Sequence, residues 1–181
     1  YDNHKELKKI LSNKVFKNEI KKLVGNDVVL FKDKINFKYT GSKGFKPHQD
    51  ATIWKDMYGI KSFITLAISI DESTIENGCL RFARIKNKKL ISKYWNEIPK
   101  KIEKKMKWKI ITQKPGDVVF FNDYSPHKSS DNFSNKKRRM VFLTYNEKKF
   151  GDFRKKHFRD KRRNFPPNIE RKKGEKYVFH V

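Results

Sequence analysis

The chain has 181 residues, of which 36% are hydrophobic and 14% aromatic, enough for one domain with one substantial core. No run approaches the roughly 20 consecutive apolar residues of a membrane span, and the Lys-rich start lacks the apolar centre of a signal peptide. The reading is one soluble, cytoplasmic domain over 1–181, beginning at Tyr1 and expected to lack a further N-terminal segment. A single cysteine, Cys79, excludes an intramolecular disulfide framework and any multi-cysteine metal site.

The formal net charge of +25 raises the question of a polyanion partner. Only 9 of the 45 basic residues are Arg, and the charge is spread along the chain, with local clusters at 136–139 and 154–163. That distribution describes a solvated surface whose field attracts small anions. The expected partners are dioxygen and a small-molecule substrate. A membrane partner is not expected, and nucleic acid is disfavoured as one.

Leu7, Ile10, Leu11, Phe16, Ile20 and Leu23 recur at helical spacing and predict one or two amphipathic helices over 4–24, closed by Gly25-Asn26. The character then changes. Segments 28–39, 63–71, 79–83, 107–113, 117–121 and 140–146 are short β-branched or aromatic runs separated by Gly, Pro, Asn and Asp, and 177–181 would add a terminal strand. Ile98, Ile102 and Met106 predict a short helical insertion. Many short strands with turn punctuation indicate an all-β core, and a jelly roll with flanking N-terminal helices is the expected fold.

Phe45-Lys46-Pro47-His48-Gln49-Asp50 sets an imidazole and a carboxylate two positions apart, so an extended backbone turns both to the same face. Such a pair can chelate a metal. A third ligand from another strand would complete a two-histidine, one-carboxylate face on iron, with three positions left for co-substrate and dioxygen. His127 is the best candidate, because it follows the strand that begins after Pro115-Gly116-Asp117. Alone, an H-x-D triplet carries little weight; the order and context give it specificity. Arg138 lies eleven residues further on, before another apolar strand, where its planar fork can clamp the distal carboxylate of 2-oxoglutarate. Alternation sends only one of Arg138 and Arg139 inward, and Arg138 is favoured.

These features resemble the phytanoyl-CoA dioxygenase-like family of Fe(II)/2-oxoglutarate oxygenases. The resemblance runs through 31–36, Gly44 to Ala51, Glu76-Asn77-Gly78-Cys79-Leu80, Pro115-Gly116-Asp117, and His127 with Arg138. It implies a double-stranded β-helix, iron on His48, Asp50 and His127, 2-oxoglutarate on Arg138, and hydroxylation of a C–H bond. The tail, with Phe165-Pro166-Pro167 and Ile169-Glu170-Arg171, is similar to a bacterial branch associated with small organophosphonates. The chain departs from the family after Cys79, reading Arg84-Ile85-Lys86-Asn87-Lys88 in place of a Gly-Ser-His turn.

Around this set, Ser129 could place its hydroxyl on the co-substrate carboxylate. Lys34 and Asn36 could face the pocket and meet the substrate, whereas Lys38 is expected on a half-exposed sheet face. Cys79 reads as a small buried hydrophobe, and His4, His157 and His180 receive no role. The expected activity is hydroxylation of a small anionic or zwitterionic metabolite, an organophosphonate first. An acyl-CoA hydroxylase, a non-catalytic jelly-roll binding module and a nucleic-acid-directed oxygenase are the alternatives.

Overall fold

A computed structural model describes residues 4–85, 89–92 and 97–177. Two short helices, α1 (Lys5–Ser12) and α2 (Lys14–Val24), open the chain. Between them Asn13 caps α2, its side-chain oxygen accepting from the Val15 N–H at 2.8 Å. Gly25 ends α2 in the left-handed region, where a glycine carries no Cβ penalty, and its N–H returns to the Lys21 carbonyl.

The strands follow as β1 (Val28–Lys38), β2 (Phe63–Ser69), β3 (Leu80–Ala83), β4 (Trp108–Ile111), β5 (Val118–Asn122), β6 (His127–Ser129) and β7 (Arg138–Glu147). Helix α3 (Ala51–Tyr58) lies between β1 and β2, α4 (Lys100–Glu103) precedes β4, and α5 (Arg154–Asn164) follows β7. All recorded pairings are antiparallel. They build a four-stranded sheet in the order β1-β7-β2-β5 and a three-stranded sheet in the order β4-β3-β6. The jelly-roll expectation holds, with the helices placed on the N-terminal side as anticipated. Among the described residues no helix is long and apolar enough to cross a membrane.

The central strand β7 explains the layering. Val141, Leu143 and Tyr145 share one face and pack with Leu66, Leu11 and Ile20 beneath the N-terminal helices. Met140 and Phe142 share the other face and pack with Ala67, Leu80 and Phe121 between the two sheets. Alternation at period two therefore feeds both cores from a single strand. Each fully buried Leu, such as Leu66, contributes about 1.5–3 kcal/mol of transfer free energy. The inner face also carries Arg138 and Thr144, and this polar minority opens the site.

Helices α3 and α5 were not anticipated. Trp54 and Tyr58 of α3 join Phe31, Ile60 and Phe63 in a third cluster, and α5 lays His157 on Phe31 with ring centroids 4.6 Å apart. The anticipated terminal strand at 177–181 lies outside the described residues except for Tyr177, which is not in a strand. Positions 86–88 of the altered turn are outside them too.

Candidate metal centre and its cavity

The segment before His48 is zipped to β6. Ser129 donates its N–H to the Phe45 carbonyl, and His48 and His127 exchange both backbone hydrogen bonds, all at 3.0 Å. The fit is close at Gly44, where an added Cβ would lie 2.1 Å from the Ser129 carbonyl oxygen. Only glycine permits that approach. Alternation then turns His48 and Asp50 to one side and Gln49 to the other. Gln49, fully buried, ties this segment to the Tyr124 carbonyl at 2.7 Å, and its side-chain oxygen accepts from the Ile91 N–H. Helix α3 begins at Ala51, anchored on the Asp123 carbonyl.

The result is a compact triad. One ligand atom from each of His48, Asp50 and His127 lies within 4.8 Å of the others. Asp50 Oδ1 is 3.6 Å from His48 Nε2 and 4.0 Å from His127 Nε2. Each imidazole is oriented by its remaining nitrogen: Nδ1 of His48 meets the Lys46 carbonyl at 2.6 Å, and Nδ1 of His127 meets the Ser125 carbonyl at 3.0 Å. A carbonyl can only accept, so in both rings Nδ1 carries a proton, and Nε2 is the atom turned to Asp50. Burial pushes His127 down to about 4, with His48 adding to the shift and Asp50 opposing it. Burial acts to raise the Asp50 carboxyl, but the combined pull of His127, His48, Lys34 and Lys32 holds it below its ordinary value. Two imidazoles that turn Nε2 toward an ionised carboxylate, converging on one point, are the donor set that iron(II) accepts.

The triad opens on a cavity of about 40 Å³ lined by Lys32, Lys34, Asn36, Trp54, Thr65 and Phe142 among others. Larger depressions of about 620 and 770 Å³ contain no triad residue. Phe121 and Phe82 flank the His127 ring at centroid distances of 4.9 and 5.7 Å. Lys34 and Asn36 thus stand beside the triad, as their alternation suggested. Lys32 and Trp54 stand there too and were overlooked. Extending the same alternation two residues back would have found Lys32, and the helical spacing of Ala51, Trp54 and Tyr58 would have found Trp54.

Arg138 and Arg139 point in opposite directions. Arg139 makes a two-pronged bond to Asp71, at 2.8 and 2.7 Å. Arg138 is 2% exposed and gives one bond, from Nη1 to the Met140 sulfur, while its Nε has no partner among the described residues. Burial draws its pKa below the ordinary guanidinium value, and it remains a cation. Lys38, expected on a half-exposed face, is instead buried beside it. The strand ends under β6, so the Lys38 ammonium is enclosed and donates to Ser129 Oγ at 3.0 Å and to the Ser130 carbonyl. Burial pushes it down to about 8. Ser129 Oγ also accepts from the Phe45 N–H, which leaves its own proton to offer a ligand. Cys79 is buried, as read.

An antiparallel double sheet around two histidines and an aspartate is the architecture of the non-haem iron, 2-oxoglutarate-dependent oxygenases. Two solved structures share the fold. The carbocyclase SnoK from nogalamycin biosynthesis superposes with a TM-score of 0.68 at 16% identity, over 81% of this chain and 61% of that one. EctD from S. alaskensis, crystallised with 2-oxoglutarate and 5-hydroxyectoine, gives 0.68 at 20% identity, over 77% and 51%. The family profile of phytanoyl-CoA dioxygenase (PhyH) matches residues 2–140, and the chain belongs to that family. A 2-aminoethylphosphonate dioxygenase from an uncultured bacterium is 42% identical over 178 residues, 97% of this chain and 68% of its own length. A methylphosphonate hydroxylase from Gimesia maris is 38% identical over 156 residues, 85% and 58% of the two chains. The chain thus spans 58–68% of the length of these relatives.

Proposed function

We propose that this chain carries the catalytic domain of an Fe(II)- and 2-oxoglutarate-dependent hydroxylase acting on a C–H bond of a small organophosphonate. The observation that carries this reading is the triad, with three ligand atoms within 4.8 Å, set at a cavity with Lys32, Lys34 and Lys128 on its wall. The names of two relatives, both phosphonate oxygenases, support the substrate class.

His48, Asp50 and His127 would hold the iron. With its co-substrate, the iron would supply oxidation: one oxygen atom of dioxygen goes to the substrate carbon, the other to succinate as 2-oxoglutarate loses carbon dioxide. The chain's own part is positioning. Asp50 is ionised and His127 neutral near pH 7, so no proton need leave either for a metal to bind. Arg138 offers an unpartnered buried N–H group and is assigned to the distal carboxylate of 2-oxoglutarate. Ser129 is assigned beside it through its remaining proton. Lys34 and Asn36 are assigned to the substrate, and Phe121, Phe142 and Trp54 keep bulk water from the cavity.

Succinate release tests the reading. In iron-loaded protein it rises on adding 2-aminoethylphosphonate and stays at background with a long-chain acyl-CoA. The reverse pattern transfers the assignment to an acyl-CoA hydroxylase, and no release with any substrate together with no iron binding leaves a binding module.

A further inference from the structure

The inner faces of β1 and β7 carry cations at both ends. At one end Lys38 is in register with Arg138, and at the other Lys32 is in register with Thr144. Lys38 lies six positions along the strand from Lys32, about 20 Å at 3.4 Å per residue. The five-carbon chain of 2-oxoglutarate is far shorter than that, so a co-substrate anchored on Arg138 leaves the Lys32 end for another ligand.

That end is built unusually for an empty interior. Lys32 is 2% exposed and among the described residues has neither an ion pair nor a hydrogen bond. Its recorded contact is the face of Trp54, 4.7 Å from the ring centroid. Lys34 stands two residues on, lying against Phe142 at 5.2 Å, also without an ion pair among the described residues. The floor adds a hydroxyl pair, Thr65 Oγ1 and Thr144 Oγ1, 3.0 Å apart. One of the two must donate to the other, which leaves a single O–H proton to point elsewhere. Buried cations are ordinarily paired, since a lone one forfeits its hydration without return. The nearby carboxylate, Asp50, is turned to the histidines and is committed once a metal binds.

We propose, resting on the function proposed above, that Lys32 together with Lys34 and the Thr65–Thr144 hydroxyls forms the subsite for a tetrahedral oxyanion, the phosphonate head of the substrate. Separate ammonium and hydroxyl donors approaching from different directions suit three oxygens on a tetrahedral centre, whereas a planar carboxylate is better met by a guanidinium fork. Burial lowers the pKa of both ammonium groups, that of Lys32 strongly, and a phosphonate dianion supplies the opposite charge that favours their protonated forms. The anchored head then fixes the substrate carbon against the triad from the side opposite Arg138. Lys32 is the residue that selects for the dianion, because among the described residues it has no hydrogen bond or ion pair.

Two titrations under argon, on iron-loaded protein with 2-oxoglutarate present, test the subsite by heat rather than turnover. The probes are methylphosphonate and inorganic phosphate. Lys32→Met, which keeps the length and removes the charge, weakens both at least tenfold and leaves 2-oxoglutarate affinity within twofold. Lys155→Met, an exposed position of α5, changes neither. Lys32→Met also folds with a thermal midpoint at or above that of the parent, because it removes a buried amine that has no hydrogen bond among the described residues. Unchanged methylphosphonate affinity in a folded Lys32→Met variant, or loss of 2-oxoglutarate affinity in its place, overturns the subsite. The two readings fail separately. Lysine-dependent phosphate binding without succinate release on 2-aminoethylphosphonate removes the proposed substrate and upholds the subsite. Undiminished phosphonate turnover in Lys32→Met removes the subsite and upholds the substrate.

Discussion

His48 and His127 exchange both of their backbone hydrogen bonds, each at 3.0 Å, so two distant stretches of sequence hold their imidazoles in register through the main chain. The ring centroids are consequently 4.2 Å apart, before any metal draws them together. Removing either imidazole leaves this scaffold in place and deletes one ligand. His48→Ala and His127→Ala are expected to fold, to lose most iron occupancy by metal analysis and to release no succinate above background. Full iron content with normal release in both variants would refute the triad.

The same zipper predicts an effect at a residue with no functional group. Gly44→Ala drives a methyl group to 2.1 Å from the Ser129 carbonyl oxygen and 2.7 Å from the Ser130 carbonyl carbon. Both are backbone atoms and cannot swing aside. The 45–48 segment must separate from β6, at a cost of about 1–3 kcal/mol by analogy with overpacked cores. Expected are a lower thermal midpoint and weaker iron binding than in the parent; a variant matching it in both would show that the segment tolerates the separation.

Arg138 and Arg139 allow a test of strand register in solution. Arg138→Ala weakens 2-oxoglutarate at least tenfold while iron affinity changes little, because the guanidinium lies outside the triad. Arg139→Ala leaves the co-substrate alone and lowers the thermal midpoint slightly, through loss of the Asp71 bonds. Exchange of these two phenotypes would place the co-substrate on the opposite face of β7.

Much of this site was legible because its signals are local. An H-x-D triplet on extended backbone fixes its own geometry, and β7 announces two buried faces through its unbroken apolar run. Alternation showed that only one of Arg138 and Arg139 turns inward, and the structure shows that it is Arg138, with Arg139 on Asp71. What escaped the sequence depended on contacts with distant residues. Lys38 is polar at a strand end and reads as exposed, yet Ser129 and Ser130, some ninety residues later, enclose it. Helix α5 offers no apolar stripe in Arg-Lys-Lys-His-Phe-Arg-Asp-Lys-Arg-Arg-Asn, so periodicity is silent. It is held by the Arg154–Asp33 ion pair and by His157 on Phe31. Lys32 lies on the same alternation as Lys34 and Asn36; the register shift between Leu30 and Lys32 explains instead why its neighbour Phe31 is buried as well.

His157, which carried no sequence signal, gives a prediction about acid stability. It is 4% exposed, and burial, reinforced by Lys32 and Lys161, pushes its imidazole from 6.5 to about 3. The unfolded chain takes up this proton as pH falls below 6.5, whereas the folded chain does not until about 3, so stability declines as the pH is lowered through that window. His127, pushed down to about 4, adds to the same trend in metal-free protein. His157→Phe removes one of the two contributions and keeps an aromatic ring against Phe31 and Phe158, which lie 4.6 and 5.3 Å away by ring centroid. Thermal midpoints of metal-free parent and variant, measured between pH 7 and 4.5, should therefore converge or cross. The parent falls by several degrees more than the variant. Stopping at 4.5 keeps the depressed carboxyls of Asp50, Asp71 and Asp160 ionised, so their titration does not enter the comparison. Parallel decline of the two proteins would mean that His157 is protonated in the fold, and that Tyr58 and Asp160 beside it hold a cation.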